Sequence, residues 1–213
     1  MKTSKILFGI VAFFLASITY ADSEQEAVQY LQKQWAIDNY RLSGKEQKEG
    51  FVALMKLADS MVVDYPKSAE LYVWRGIIKS TYAGVKGGLG ALEYAKLAKT
   101  DLERALQIDD LALEGSAYTS LGTLYFNVPG WPIGFGDDEK AEQLLKKALE
   151  INPEGIDSNY FYGDYLRNEK RYIEAKRFLD KALHAQPRPG RELADEGRQQ
   201  EIREVLADVE KHL

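Results

Sequence analysis

The sequence contains no cysteine and only two histidines among its 213 residues. The absence of cysteine excludes disulfide bonds, thiol nucleophiles and cysteine metal sites, and it leaves no side chain for lipid attachment through sulfur. Neither His184 nor His212 has a serine or acidic partner at the spacing of a known motif, and the sequence has no phosphate-binding loop. We therefore expect no catalytic site, no metal and no cofactor.

Positive charge is also scarce. Lys and Arg together number 28 against 33 Asp and Glu, which gives a formal net charge of −5. Because binding to phosphates requires clustered Lys and Arg, we expect no nucleic acid partner. The exception is a group of three arginines, Arg188, Arg191 and Arg198. These side chains could bind a carboxylate or phosphate, or they could neutralise the neighbouring acids Glu192, Asp195 and Glu196.

The sequence contains one long apolar run, at residues 6–18. The run is shorter than the ~20 residues that cross a bilayer, which argues against a transmembrane anchor. Lys2 and Lys5 precede it, and Thr19 and Ala21 follow it with the small-residue pattern of a cleavage site. This layout predicts a secretory signal peptide at residues 1–21. We expect a soluble, exported protein in a bacterial periplasm, without stable membrane insertion after the signal is removed.

The remaining sequence repeats one pattern three times. AKTDLERAL at 98–106, AEQLLKKAL at 141–149 and AKRFLDKAL at 175–183 share the form A-x-x-x-L-x-[KR]-A-L. This spacing places both alanines and the leucine on one helix face. We expect that face to be buried, at positions 98, 102, 105, 141, 145, 148, 175, 179 and 182. Pro153 and Pro187 follow two of the units and predict helix ends.

A helix that contains a glycine precedes each unit, at Gly76, Gly122 and Gly163. A glycine inside a helix costs about 1 kcal/mol relative to alanine, and close packing of the paired helix could offset this cost. The combination of glycine, paired alanines, leucine and terminal proline resembles the tetratricopeptide repeat, whose period is about 34 residues.

The resemblance implies an all-α fold, a right-handed superhelical array of antiparallel helix pairs with about four repeats and a C-terminal capping helix. We assign residues 22–66 to a divergent helix pair, 67–190 to the repeats and 191–213 to the cap. The cap is predicted by an apolar stripe at helical spacing.

Two insertions, at 82–94 and 127–138, separate the first and second helices of their repeats, so we expect them to be neighbours at one edge of the array. The first contains Gly87, Gly88 and Gly90, which fits either a flexible turn or an anion site at a helix start. The second, NVPGWPIGFGDD, is apolar and aromatic. It either packs on its own protein or contacts a partner. Asp137 is expected to cap the next helix.

The segments LGTLYF, VPGWPIGFGDDEKA and LLKKAL resemble the T-component proteins that accompany TRAP transporters. The likeness covers residues 115–183 and rests on one loop within otherwise generic repeat sequence. It implies a helical repeat protein of the periplasm that contacts a solute-binding partner, with an apolar ligand as a further implication.

The concave groove of such an array is the expected binding surface. In tetratricopeptide arrays the first helix of each pair lines the groove, and the exposed positions lie three before and one, four and five after each glycine. These positions are Val73, Ile77, Ser80, Thr81, Thr119, Thr123, Phe126, Asn127, Tyr160, Asp164, Arg167 and Asn168. From these and the aromatic loop we predict a partner-binding site at Phe126, Asn127, Trp131, Phe135, Tyr160, Asp164 and Arg167.

Two functions follow as hypotheses. The first is a scaffold in the cell envelope that binds a protein or peptide partner in the groove. The alternative is a small-ligand or lipid carrier in which the aromatic loop serves as a lid. An open groove lined by polar and aromatic side chains would favour the scaffold, and a closed apolar pocket would favour the carrier.

The signal peptide predicts a new N-terminus at Asp22. Mass spectrometry of the protein recovered from the periplasmic fraction should therefore give a mass that begins at this residue. A recovered protein that retains Met1 would contradict export by signal cleavage.

Overall fold

The computed structural model describes residues 23–213, and the predicted signal peptide lies outside these residues. Nine α-helices account for most of the described part of the chain. They are α1 Glu24–Tyr40, α2 Gly44–Asp64, α3 Ala69–Lys86, α4 Ala91–Ile108, α5 Ala112–Asn127, α6 Asp138–Ile151, α7 Ile156–Asn168, α8 Tyr172–Leu183 and α9 Glu192–Glu210. Within the same residues, no helix is both long and apolar enough to cross a membrane.

The helices pack as antiparallel pairs, α3 with α4, α5 with α6 and α7 with α8. Every alanine and leucine predicted from the repeat is buried: positions 98, 102, 105, 141, 145, 148, 175, 179 and 182 are all 0% exposed. This confirms the repeat register and the all-α helical array.

The three glycines explain how closely each pair approaches. A Cβ added at Gly122 would lie 2.6 Å from Leu145 Cγ, and one added at Gly163 would lie 2.8 Å from Leu179 Cγ. A Cβ added at Gly76 would likewise lie 2.7 Å from Leu102 Cγ. Because real Cβ atoms do not approach other carbons this closely, each leucine of the repeat occupies the space that only glycine leaves free. The expectation of close packing against bare backbone is confirmed.

The last helix, α9, does more than cap the array. Its second half adds Ile202, Leu206 and Val209 to the core formed by the repeat pairs. Its first half adds Ala194 to a separate core that belongs to α1, α2 and α3. Gly197 lies so close to the ring of Tyr40 on α1 that a Cβ would overlap it. The array therefore curves until its C-terminal helix contacts its N-terminal helix.

The first insertion differs from a long turn. Residues 82–86 extend α3, residues 91–94 begin α4, and only a short 3₁₀ turn at Gly88–Gly90 separates them. The extra residues therefore lengthen both helices of this pair, and the glycines serve the tight reversal, with Gly87 and Gly88 at φ 63° and 61°. The two insertions are neighbours as expected, because a Cβ on Gly134 would lie 3.3 Å from Leu92 Cδ1.

Replacing Leu145 with alanine should lower the free energy of unfolding by about 2–5 kcal/mol, because the side chain is fully buried against the glycine of the paired helix. Ile173→Ala is the matched control, since that side chain is 80% exposed, and its effect should stay within about 0.5 kcal/mol. Urea denaturation measures both. Equal losses in the two variants would contradict the repeat packing.

Candidate functional site: a half-open cavity and an exposed loop

The concave side of the array contains a half-open cavity of about 730 Å³. Helices α3, α5 and α7 supply its inner wall, as expected for the first helix of each pair, and α1 and α9 border it on the other side. Cavities of about 300–1,000 Å³ are the size that holds small organic ligands. The groove predicted for a peptide is therefore a half-open cavity, whose lining includes the exposed residues Asn127, Pro129 and Ile133.

Several of the predicted groove residues line this cavity. They come from the middle two repeats and are Ile77, Ser80, Thr81, Thr119, Thr123 and Asn127. Val73 was expected to be exposed in the groove and is instead 0% exposed within the core of the repeats. The position three before the glycine therefore faces the neighbouring helices and not the cavity in this repeat.

The cavity wall is apolar at one end and charged at the other. Leu92, Leu124 and Val128 contribute apolar surface towards the ends of α3 and α5 that carry the two insertions. Hydroxyl groups of serine and threonine lie along α3 and α5 between the two ends, at Ser80, Thr81, Ser116, Thr119, Ser120 and Thr123. The opposite end is lined by Trp35 and Trp74 and by the charged side chains Asp157, Arg191, Arg198 and Glu201.

The length of the cavity follows from helix geometry. Ser116 and Asn127 line it from opposite ends of α5, and a rise of 1.5 Å per residue places them about 16 Å apart along the helix. On α3, Trp74 and Gly84 likewise line the cavity from positions far apart along the helix. The compartment is therefore elongated along the helices, with its charged end and its apolar end well separated.

In the last repeat, α9 lies across the positions that were predicted to face an open groove. Tyr160 is 8% exposed, and the Arg198 guanidinium of α9 lies 4.5 Å from the ring centres of both Tyr160 and Phe161. This burial raises the pKa of Tyr160 to about 12. Arg167 pairs with Asp164 at 2.7 Å and with Asp208 of α9 at 3.5 Å. Tyr160, Asp164 and Arg167 thus hold α9 in place.

An ion cluster fixes the first half of α9 to the start of α7. Asp157 accepts hydrogen bonds from Arg188 at 2.5 Å and from Arg198 at 2.8 Å. Arg188 also binds Asp195, and Arg198 also binds Glu201. Burial alone would raise the pKa of Asp157, but the Arg198 and Arg188 guanidinium groups outweigh it and hold the pKa below its usual range. For these two arginines, neutralisation of nearby acids is confirmed, with Asp195 as the one partner named from the sequence.

Arg191 differs from the other two arginines. It lines the cavity, and its guanidinium lies 5.1 Å from the ring centre of Trp74. Among residues 23–213 no carboxylate lies within 4.0 Å of it, and its side chain donates no hydrogen bond to protein. Burial and the neighbouring Arg188 lower the pKa of Arg191 to about 10, so the side chain remains a cation at neutral pH.

The second insertion forms an ordered loop that presents one large aromatic side chain. Gly136 donates to Pro129 O at 3.0 Å, Gly134 donates to Gly130 O at 3.1 Å, and Asp137 donates to Tyr125 O at 2.9 Å. Asp137 also accepts from the Lys140 backbone, which confirms it as a helix cap. Trp131 is 90% exposed and Ile133 is 69% exposed.

The other aromatic residues of the predicted site pack on the protein. Phe135 contacts Tyr125 edge to face, with 5.4 Å between ring centres. Phe126 contacts Tyr165 in the same manner at 5.8 Å. The two aromatic side chains of the loop therefore differ in environment. Phe135 packs on the protein, whereas Trp131 faces solvent. Of the seven residues predicted for the site, Asn127 lines the cavity and Trp131 is exposed, while the others support the structure around them.

Trp35, Trp74 and Arg191 line the cavity, and the sequence did not predict this position for any of them. Trp35 belongs to the divergent N-terminal pair, where no repeat pattern indicated which face is concave. Trp74 occupies a position on α3 that was not among the four counted from the glycine. The grouping of arginines was visible, but which one lacks a carboxylate depends on contacts between α7 and α9. No cluster of potential metal ligands occurs in the described part of the chain.

Comparison with known proteins agrees with this architecture. Residues 133–154 and 156–189 match the tetratricopeptide repeat family. A thermophilic tetratricopeptide repeat protein of Thermus thermophilus has a similar structure, with a TM-score of 0.54 and 15% identity over 84% of this chain and 98% of that one. The likeness shows the fold.

Two other structures align over similar lengths. MamA protein gives a TM-score of 0.46 at 16% identity, covering 85% of this chain and 91% of its own. The pilF protein of Pseudomonas aeruginosa gives 0.36 at 16% identity, covering 87% and 90% respectively. A search of curated proteins found no match.

Replacing Asp157 with asparagine should lower the free energy of unfolding by about 1–3 kcal/mol, because two guanidinium groups lose a charged acceptor. Asp180→Asn makes the same change in an exposed pair with Lys176 and should cost about 0.5 kcal/mol or less. Urea denaturation of both variants measures the difference.

The pH dependence should separate these variants further. Because the pKa of Asp157 is depressed in the folded state, its stabilisation is complete above its unfolded pKa of about 3.9 and is lost as the pH falls towards the folded value. The deficit of Asp157→Asn should therefore be constant between about pH 5 and 8 and shrink below about pH 4. A deficit that vanished at neutral pH would contradict this role for the ion cluster.

Proposed function

We propose that this protein is a non-catalytic binding protein of the cell envelope that docks a protein partner through the loop carrying Trp131. Tetratricopeptide repeats support a protein-interaction scaffold at the level of the fold. The more specific proposal rests on one observation, the 90% exposure of Trp131 at the tip of a loop whose backbone is held by hydrogen bonds.

Exposure of a tryptophan in an ordered loop needs a reason, because burial of a large aromatic side chain stabilises a protein and its exposure favours association. In the same loop the Phe135 ring packs against Tyr125, whereas the Trp131 ring remains exposed. Tryptophan is enriched among the residues that dominate binding energy at protein interfaces. An ordered loop also loses little entropy when it binds.

The location in the cell envelope rests on the sequence. The pattern at residues 1–21 fits a signal peptide, and the likeness of residues 115–183 to the T-components of TRAP transporters fits a periplasmic accessory protein. In that setting the partner of the Trp131 loop would be a solute-binding or membrane-associated protein of the same compartment.

A second candidate function is favoured by the cavity. A compartment of about 730 Å³ with an apolar end has the size and character of a small-molecule site. Because α9 covers the groove at Tyr160 and Phe161, less of the inner surface is open to an extended peptide. We therefore propose ligand binding in the cavity as a role that accompanies protein docking at the loop.

Photo-crosslinking tests the docking surface directly. A benzophenone side chain placed at Trp131 should give a discrete crosslinked product in cells of the source organism. The control position is Val63 near the end of α2, which is 76% exposed. The α2–α3 turn lies at the opposite edge of the array from the loop, so the control should give no such product.

The partner identified in this way then allows a quantitative test. Trp131→Ala should weaken its binding by about 2 kcal/mol or more, which is about thirtyfold, whereas Val63→Ala should leave it unchanged. Calorimetry or surface plasmon resonance measures both. Equal affinity of the wild type and Trp131→Ala would remove the loop from the interface.

A further inference from the structure

The charged end of the cavity contains a cation for which the protein supplies no counter-ion in direct contact. Asp157, Asp195 and Glu201 are engaged by Arg188 and Arg198. In the described part of the chain, Arg191 has no carboxylate within 4.0 Å, and its five N–H donors make no hydrogen bond to protein. A half-buried guanidinium with all donors free can bind a planar anion, because its fork donates two parallel hydrogen bonds to a carboxylate.

Trp74 lines the cavity beside Arg191 and is 3% exposed. Its indole N–H is buried and has no hydrogen-bond partner among residues 23–213. A buried donor without a partner costs free energy. Because the indole N–H is inaccessible to solvent, Arg191 is the donor at this end of the cavity that an acidic head group would reach, with the Trp74 ring beside it.

The rest of the cavity suits a different chemistry. About 16 Å along the helices, the opposite end is lined by Leu92, Leu124, Val128 and Ile133. This surface is mostly apolar, with the Asn127 amide as its polar side chain, and it favours an apolar chain. The serine and threonine hydroxyls between the ends carry no formal charge. The occupant that fits both ends is a molecule with one anionic group and one elongated apolar tail.

We propose that the cavity binds an amphipathic monocarboxylate, such as a fatty acid of medium length, with its carboxylate on Arg191 and its tail extending towards Leu92 and Ile133. This inference rests on the proposed role of the cavity as a ligand site. It adds the chemical class of the ligand and the residue that selects it.

Isothermal titration calorimetry with decanoate and decanol tests separately whether the cavity binds a ligand and whether it selects a carboxylate. The two probes share one tail and differ in the head group. Wild-type protein should bind decanoate at least tenfold more tightly than decanol, although the alcohol is the more apolar molecule. Arg191→Gln should weaken decanoate at least tenfold and leave decanol within twofold. Arg191→Lys should retain part of the preference, since it keeps the charge without the fork.

Arg177→Gln is the matched control for loss of charge. Its guanidinium also lies over an aromatic ring, 4.6 Å from the centre of Phe178, but it does not line the cavity. Both probes should bind this variant as they bind the wild type. Gly84→Phe is the control for occupancy, since Gly84 lines the cavity and a Cβ there meets nothing within 4 Å. It should weaken both probes.

The outcomes distinguish the two proposals. Equal binding of decanoate and decanol by the wild type, or unchanged decanoate affinity in Arg191→Gln, would overturn the carboxylate assignment while leaving the cavity a ligand site. Failure of the wild type to bind either probe, or insensitivity of both to Gly84→Phe, would overturn ligand binding in the cavity itself. The wild-type comparison stands even where a variant does not fold.

Discussion

The interior of this molecule depends on the contact between Asp157 and the guanidinium groups of Arg188 and Arg198. A stacked array of helix pairs leaves its concave side open to solvent. Here the carboxylate at the start of α7 holds the segment that leads into α9 and the first half of α9 itself, so that this helix crosses the concave side and contacts α1. The ion cluster acts together with Ile202, Leu206 and Val209, which bury the second half of α9 in the core of the repeats.

The array itself could be predicted because its causes are local. Alanine, leucine and glycine recur at fixed helical spacing, and each leucine fills the space that one glycine leaves, so the register, the pairing and the buried positions follow from pattern alone. The closure could not be predicted in this way. It depends on pairs such as Asp157 with Arg198 and Arg167 with Asp208, which are separated by some forty residues and carry no periodic signal.

The lining of the cavity was predicted in part for the same reason. The first helix of each pair does line the concave side, and Asn127, Thr123 and Ser80 lie there, where counting from the glycines places them. The count fails at Tyr160, where α9 covers the position, because counting along one helix contains no information about a helix that arrives from elsewhere. It also cannot distinguish Arg191 from Arg188, since both are basic residues in the same short segment.

The loop and the cavity are linked through α5 and the residues that follow it. Asn127, the last residue of α5, and Val128 both line the cavity, and three residues later Trp131 stands in solvent. Ile133 belongs to both surfaces, since it lines the cavity and is also 69% exposed. A protein docked on Trp131 would therefore contact the rim of the cavity at its apolar end, the end opposite Arg191. A ligand held by its head group at Arg191 would present its tail to that rim, so the two proposed binding events share one short stretch of chain.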